Sequence, residues 1–350
     1  MNDLPPKISS NGPAPRRRSW MWVMLIVLVV VVGLGVAGST MMLGMAALLG
    51  EDDGEPPKLR EKRMTGGDTD AADKIAVIHV RDIISFMAPG YVGEEGMVGD
   101  IKESLAKAVR DPKVKAIILA IDSPGGEVTA SDVIHHAVIE ARKSGKPIVA
   151  SMGSLAASGG YYVAVGADWI VAHPTTLTGS IGVIFSLWNY RGLMDKIGVK
   201  PMVWKSGKMK DMLSPTKNES EISPEERAIV ERLVMTDYDR FVGVVAEGRK
   251  MKVEQLKAGL ADGRVLSGVE ALEHKFVDQL GYFEDAVAKA KSLAKIEQAK
   301  LVKYAPPFSL SKLLGLFMES RASAIRIQMT PDNFELQTGR LYYLPPAWLR

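Results

Sequence analysis

An uncharged stretch near the N-terminus constrains this chain more than any other feature of its sequence. No charged residue occurs between Arg18 and Glu51, and residues 20–37 are almost wholly apolar. A bilayer core of about 30 Å is crossed by roughly 20 helical residues, so this stretch is long enough to span it. We therefore predict one N-terminal transmembrane helix in an anchor region at residues 20–50, after a disordered cytoplasmic tail at residues 1–19.

The residues that flank this stretch predict its orientation. Arginines occupy positions 16–18, and acidic residues occupy positions 51–53. Because basic residues are retained in the cytoplasm, the N-terminus is expected there and the chain after residue 50 is expected outside. The alternative is a cleaved signal peptide, for which Ala37–Gly38–Ser39 offers small residues, although the apolar stretch is longer than usual for one.

Composition excludes several chemistries. The chain has 350 residues and a net charge of +3 from 44 basic and 41 acidic residues, which does not favour nucleic acid as a partner. It has no cysteine, so a thiolate nucleophile, a disulfide and a cysteine metal site are all impossible. We expect no metal and no cofactor.

From residue 74 the chain alternates between short β-branched segments and helical segments. This alternation is typical of an α/β domain with a parallel sheet and flanking helices, here predicted over residues 74–300. A charged linker at residues 51–73 precedes it, and a C-terminal extension at residues 301–350 follows it. Strands are expected at residues 75–80, 116–121, 147–151, 169–172, 181–185 and 201–204. Ser223, Pro224 and Glu226 form the start signal of a long helix that runs to about Lys250.

Three junctions rich in glycine and hydroxyl residues are candidates for a site. They are residues 122–126 (DSPGG), 154–162 (SLAASGGYY) and 175–183 (TTLTGSIGV). Each can be a structural turn or a helix packed through small residues. Each can also bring backbone N–H groups or an exposed hydroxyl close to a substrate.

A serine nucleophile needs a base. His173 is the histidine nearest to these junctions, but Pro174 follows it and no acidic residue nearby would orient it. A lysine among Lys205, Lys208 and Lys210 is the other candidate. Its pKa would have to fall by about 3 from roughly 10.4, which corresponds to about 4 kcal/mol. Judged by charge alone, these lysines are typical of a solvated loop.

Taken in order, the motifs resemble the signal peptide peptidase A family. They are DSPGG at 122–126, SLAASGGYYVAVGAD at 154–168, TLTGSIGV at 176–183, KSGKMKD at 205–211 and GRVLSGVEALEHKFVDQLG at 263–281. The resemblance implies a ClpP/crotonase-like fold. It also implies that Ser158 is the nucleophile, Lys210 the general base and Ser180 the residue that orients the lysine amine. The N–H groups of Gly126 and Gly159 would form the oxyanion hole.

The same resemblance implies a serine endopeptidase that hydrolyses remnant signal peptides and other apolar peptides through an acyl-enzyme. With the anchor, it implies a location in a bacterial inner or cell membrane. Larger family members join two catalytic units in one chain, so a homo-oligomer is expected here; the dyad can lie within one subunit or be shared between two. The alternatives are a crotonase-type acyl-CoA enzyme, a quality-control protease for membrane proteins, and an inactive binding module.

Overall fold

The computed structural model describes residues 22, 24–30, 33, 59–86, 96–305 and 342–343. Residues 24–30 are helical, and the helices of the described residues include none long and apolar enough to cross a membrane. The tail at 1–19 and most of the predicted anchor lie outside the described residues, so the anchor stays a prediction. Every element named below belongs to one compact unit, Pro56–Pro307 with Arg326–Arg350.

A mostly parallel sheet forms the centre of this unit. Its principal strand order is β1-β9-β2-β3-β4-β5-β8; in addition, β6 pairs with β4 and β7, and β10 pairs with β3. The strands are β1 (Arg60–Arg63), β2 (Lys74–Ile84), β3 (Val114–Glu127), β4 (Ile148–Ala157), β5 (Trp169–Ala172), β6 (Leu177–Gly179), β7 (Val265–Ser267), β8 (Gln279–Leu280), β9 (Lys300–Ala305) and β10 (Tyr342–Tyr343). Only the pairs β1–β9, β6–β7 and β3–β10 are antiparallel among the described strands. The predicted α/β class with a parallel sheet is confirmed.

Helices cover both faces of the sheet. They are α1 (Gly96–Arg110), α2 (Val128–Arg142), α3 (Gly159–Ala164), α4 (Arg191–Lys196), α5 (Pro224–Arg249), α6 (Val253–Ala258), α7 (Gly268–Glu273) and α8 (Phe283–Ala294). Alternate residues of a strand point to opposite faces. In β2, Ile78 and Val80 therefore join the larger core cluster, whereas Ile75 and Val77 pack in the smaller cluster that contains Ala286 of α8.

The long helix begins where its sequence predicts. The Ser223 side chain accepts a hydrogen bond from the Glu226 N–H (3.2 Å), and the Ser223 N–H donates to the Glu226 carboxylate (2.7 Å). This reciprocal capping box gives hydrogen-bond partners to two backbone N–H groups at the start of the helix, those of Ser223 and Glu226. The helix ends at Arg249, and the next residue, Lys250, caps it in a left-handed conformation with φ 53°.

Two predicted strands are wrong. Residues 181–185 contain only a single bridge residue, and the strand lies earlier, at β6. There the hydroxyls of Thr176 and Thr178 donate to the carbonyls of Gly153 and Ala156, which fixes this earlier segment beside β4. Residues 201–204 form no strand, because no described strand pairs with them and their side chains remain largely exposed. The structure also adds β1 and β9, which the sequence did not predict.

Candidate active site

Ser158 lies at a sharp turn between a strand and a helix. Strand β4 ends at Ala157 and helix α3 begins at Gly159, so Ser158 alone makes the turn. Its backbone has φ 54° and ψ −118°. A non-glycine residue in such a conformation costs about 1–3 kcal/mol, and strain of this kind is concentrated at functional sites.

The Ser158 hydroxyl is buried without a partner. The residue is fully buried, and its Oγ has no hydrogen-bond partner among the described residues. An unpaired buried hydroxyl costs about 1–3 kcal/mol. Ser158 therefore combines backbone strain with a buried, unsatisfied hydroxyl.

The structure brings Ser180 next to Ser158. Strand β6 runs parallel to β4 in the register Ala157↔Gly179, and the Ser158 N–H donates to the Gly179 carbonyl (2.8 Å). Ser180 directly follows Gly179, is buried and also has positive φ, at 50°. The two serines that the motifs single out thus end adjacent, paired segments.

The two glycines of the predicted oxyanion hole also meet. A Cβ placed on Gly159 would lie 3.1 Å from the Gly126 nitrogen and 2.5 Å from the Ser131 hydroxyl. A Cβ placed on Gly126 would press against the backbone of Ile84 on β2. At Gly126 a larger residue would clash with backbone, and at Gly159 it would require shifts of the Ser131 hydroxyl and of the neighbouring backbone.

Two tyrosines fix the helix that follows Ser158, a role that the sequence analysis missed. The Tyr161 hydroxyl donates to the Phe276 carbonyl (2.9 Å), and the Tyr162 hydroxyl donates to Asp132 (2.6 Å). Arg240 of α5 donates to the same carboxylate from two nitrogens. Burial raises the pKa of both tyrosines, so the hydroxyls remain protonated donors. The signal was the pair of large polar aromatics in a segment of small residues.

Lys210 is not brought to Ser158 within the chain. It is exposed, it lies in a series of turns, and it makes no side-chain hydrogen bond or ion pair with the residues that the structure describes. Three neighbouring lysines are paired: Lys205 with Asp211 (2.8 Å), Lys208 with Glu225 (2.7 Å) and Lys217 with Glu226 (2.6 Å). Among the described residues of one chain, the candidate site therefore holds Ser158, Ser180 and both glycines, and no lysine is hydrogen-bonded to the Ser158 hydroxyl.

Ion pairing raises the pKa of two of these lysines, Lys208 and Lys217. The hydrogen bond that Lys208 donates to Glu225 raises the pKa of Lys208, and the hydrogen bond that Lys217 donates to Glu226 raises the pKa of Lys217. A raised pKa keeps an ammonium protonated, which prevents it from accepting a proton. Among the described residues no cluster of three or more histidine or acidic side chains could hold a metal ion.

An extended segment of the chain lies against Gly126, one of the two glycines predicted for the oxyanion hole. Strand β10 pairs antiparallel with the end of β3 in the register Tyr342↔Glu127 and Tyr343↔Gly126. The last pair between β3 and β4 is Ser123↔Ala156, so β10 pairs with β3 beyond the point where β4 has left it. This end of β3 therefore accepts another strand.

The part of the chain that matches known proteins includes residues of the candidate site. The family described as "Peptidase family S49" matches residues 140–297, which include Ser158, Ser180 and Lys210. A putative signal peptide peptidase SppA of Enterococcus faecium is 44% identical over 200 residues, 57% of this chain and 57% of that protein. A putative protease of Synechocystis sp. is 43% identical over 195 residues, 56% of this chain and 69% of that protein.

The chain thus spans little more than half the length of the Enterococcus relative. A solved structure of a ClpP1 mutant from Listeria monocytogenes is 15% identical, with a TM-score of 0.40 over 60% of this chain and 94% of that one. The ordered motifs and the sequence relatives agree, and the resemblance to signal peptide peptidase A is confirmed: the chain belongs to peptidase family S49.

Proposed function

We propose that this chain is a membrane-anchored serine endopeptidase that hydrolyses apolar peptides, including remnant signal peptides, with a Ser158–Lys210 dyad. The observation that carries the proposal is the Ser158 hydroxyl, which is buried at a strained turn and has no hydrogen-bond partner among the described residues. Beside it, Gly126 and Gly159 leave no room for a β-carbon unless neighbouring atoms shift. A crotonase-type reaction on acyl-CoA would not need a serine nucleophile at this turn.

The geometry supports a two-step mechanism. Neutral Lys210 accepts the Ser158 proton, and the Ser158 Oγ attacks the peptide carbonyl. The N–H groups of Gly126 and Gly159 stabilise the oxyanion, and the protonated lysine then transfers its proton to the departing amine. Water, deprotonated by the same lysine, hydrolyses the acyl-enzyme and restores the Ser158 hydroxyl. Ser180, beside Ser158, accepts or donates a hydrogen bond that orients the lysine amine.

In this proposal, the Lys210 that serves as the base for Ser158 belongs to a second copy of the chain. Ser158 lacks a partner for its hydroxyl, and Lys210 lacks one for its ammonium group, among the described residues of one chain. Near Lys210, Trp188, Met202 and Trp204 are 73%, 74% and 83% exposed. Burying such side chains against a neighbouring subunit would be favourable, by about 1.5–3 kcal/mol each. A homo-oligomer would cover these residues and complete the site.

Two further features support the proposed location and substrate. The uncharged residues 20–50 support an anchor, which would hold the peptidase unit at the membrane surface where released signal peptides remain. The strand-accepting end of β3 beside Gly126 supports an extended peptide as substrate, since main-chain pairing there would place a scissile bond near Ser158.

The test is complementation between two inactive variants. Ser158→Ala and Lys210→Met proteins, each expected to cleave a synthetic signal peptide at background rates, are dissociated, mixed and reassociated. Recovered cleavage, followed by product masses, would show a dyad shared between chains. Lys208→Met is the matched control and should retain activity, because Lys208 is held protonated by Glu225. Activity in Lys210→Met alone would refute the assignment of the base.

A further inference from the structure

Asp211, the residue after Lys210, is held from two sides by lysines. Its carboxylate accepts two hydrogen bonds from the Lys205 ammonium, at 2.8 and 2.9 Å. The Lys217 ammonium lies 3.6 Å from the same carboxylate. Lys210 is thus covalently attached to a residue whose position is set by an ion-pair cluster.

The same ion-pair cluster includes a buried carboxylate, that of Glu226. Lys217 donates to Glu226 at 2.6 Å, and the Glu226 side chain is 4% exposed. The other oxygen of Glu226 accepts the Ser223 N–H of the capping box (2.7 Å). Glu226 is therefore fixed to the first turn of α5, whose later residues Phe241 and Val242 are fully buried in the core. The cluster connects a rigid helix to the turns that carry Lys210.

A second ion pair between the same segments is weaker. Lys208 and Glu225 are 73% and 60% exposed, and exposed pairs contribute about 0–1 kcal/mol. Lys217 and Glu226 are mostly buried and directly hydrogen-bonded, so this pair restrains the turns more strongly. The charges of Lys205, Asp211, Lys217 and Glu226 also cancel.

We propose that Glu226 is a positioning residue for Lys210, acting through Lys217 and Asp211. The proposal rests on the assignment of Lys210 as the base. Glu226 never touches substrate; it restricts the turns at residues 205–217 so that the lysine amine reaches the nucleophile in one orientation. Misplacement of a catalytic group by about 1 Å can cost on the order of 100-fold in rate.

Glu226→Gln tests this role, because glutamine retains the capping box but removes the charge that pairs with Lys217. We expect kcat to fall about 10- to 100-fold with little change in KM. The lost negative charge also leaves an excess cation near Lys210, which disfavours the protonated amine. The acidic limb of the kcat/KM profile should therefore move to lower pH, a shift that mere loss of stability would not produce. Glu226→Asp, which restores the charge, should return the limb toward its original position.

Two matched controls accompany this variant. Glu270→Gln removes the same charge from the capping box that Ser267 forms at α7, where no lysine is paired with it, and should leave kcat and the pH profile unchanged. Glu225→Gln breaks only the exposed pair and should have an effect within about twofold. Should Glu226→Gln fail to fold, Asp211→Asn interrupts the cluster at its centre and is expected to give the same loss and shift.

The outcomes separate this proposal from the proposed function. Wild-type kcat and an unmoved acidic limb in Glu226→Gln or Asp211→Asn, with Lys210→Met inactive, would overturn the positioning role alone. An active Lys210→Met would overturn both the base and its positioning residue. Equal losses in Glu226→Gln and Glu270→Gln would assign Glu226 to helix capping and would also overturn the proposal.

Discussion

Replacing Gly126 by alanine is the sharpest test of the predicted oxyanion hole. The new Cβ would lie 2.6 Å from both the carbonyl carbon and the nitrogen of Ile84 and closer still to its oxygen. Carbon atoms in contact lie about 3.5–4.0 Å apart, so one of the two strands must move by about 0.9 Å or more. Because the clash is with backbone, no side-chain rotation can relieve it.

The displacement should affect catalysis more than folding. Overpacking of this kind destabilises a protein by about 1–3 kcal/mol. Loss of one oxyanion donor costs about 100- to 1,000-fold in kcat, or about 2.7–4 kcal/mol. We therefore expect Gly126→Ala to remain folded below its lowered unfolding midpoint and to lose at least about 100-fold in kcat for a synthetic signal peptide.

Gly243→Ala provides the control. Gly243 lies within α5 with no atom within 4 Å of an added Cβ, so alanine should raise the free energy of unfolding by about 0.5–1 kcal/mol and leave kcat unchanged. Both variants are compared by peptide cleavage and by urea unfolding. A Gly126→Ala enzyme that retains kcat within about threefold of wild type would refute the role of this amide.

Three further variants test the site and its frame. Ser158→Ala should abolish peptide cleavage and labelling by a fluorophosphonate, and it should raise the free energy of unfolding by about 1 kcal/mol because an unpaired buried hydroxyl is removed. Ser154→Ala, at an exposed position, should stay active. An active Ser158→Ala and an inactive Ser154→Ala would show that Ser158 is not the nucleophile. Burial lowers the pKa of His135 from 6.5 to about 4, so its neutral form contributes stability that is complete above pH 6.5 and is lost as the pH falls toward 4. His135→Phe should reduce that acid-induced loss by about 2–3 kcal/mol in urea titrations, and an unchanged loss would contradict the assignment. Asp278→Ala should cost about 3–5 kcal/mol, because it leaves Arg249, only 10% exposed, without its carboxylate; a cost below about 1 kcal/mol would show that the pair is dispensable.

The parts of the fold that depend on local chemistry were predictable. The continuous apolar segment at residues 116–121 is the centre of β3, and the capping residues Ser223 and Glu226 start α5. The absence of strands at residues 181–185 and 201–204 was not predictable, because an apolar segment becomes a strand only where a neighbouring strand offers its backbone. Similarly, β1 is highly charged along its whole length and pairs with β9 at the far end of the domain, so nothing local marks it.

In the candidate site, too, local features could be predicted from the sequence and long-range contacts could not. The family resemblance of the motifs pointed to Ser158, Gly126 and Gly159, and the absence of side chains at the two glycines permits the close approach seen there. The partners that hold the site, Asp132 and Arg240, lie far away in sequence and carry ordinary surface side chains. The absence of a contact between Ser158 and Lys210 could not be inferred either, since it depends on how distant turns are placed in space.

The pairing of β10 with β3 has a consequence for measuring ligand affinity. Tyr342–Tyr343 belong to the same chain as the edge that they cover, so they compete with any added peptide at an effective concentration that can reach the millimolar range. A peptide binds only the fraction of molecules in which this edge is free, and its apparent Kd rises as that fraction falls. The same peptide inhibitor should therefore bind with a lower apparent Kd to a chain shortened to end after Ala305 than to the chain of 350 residues.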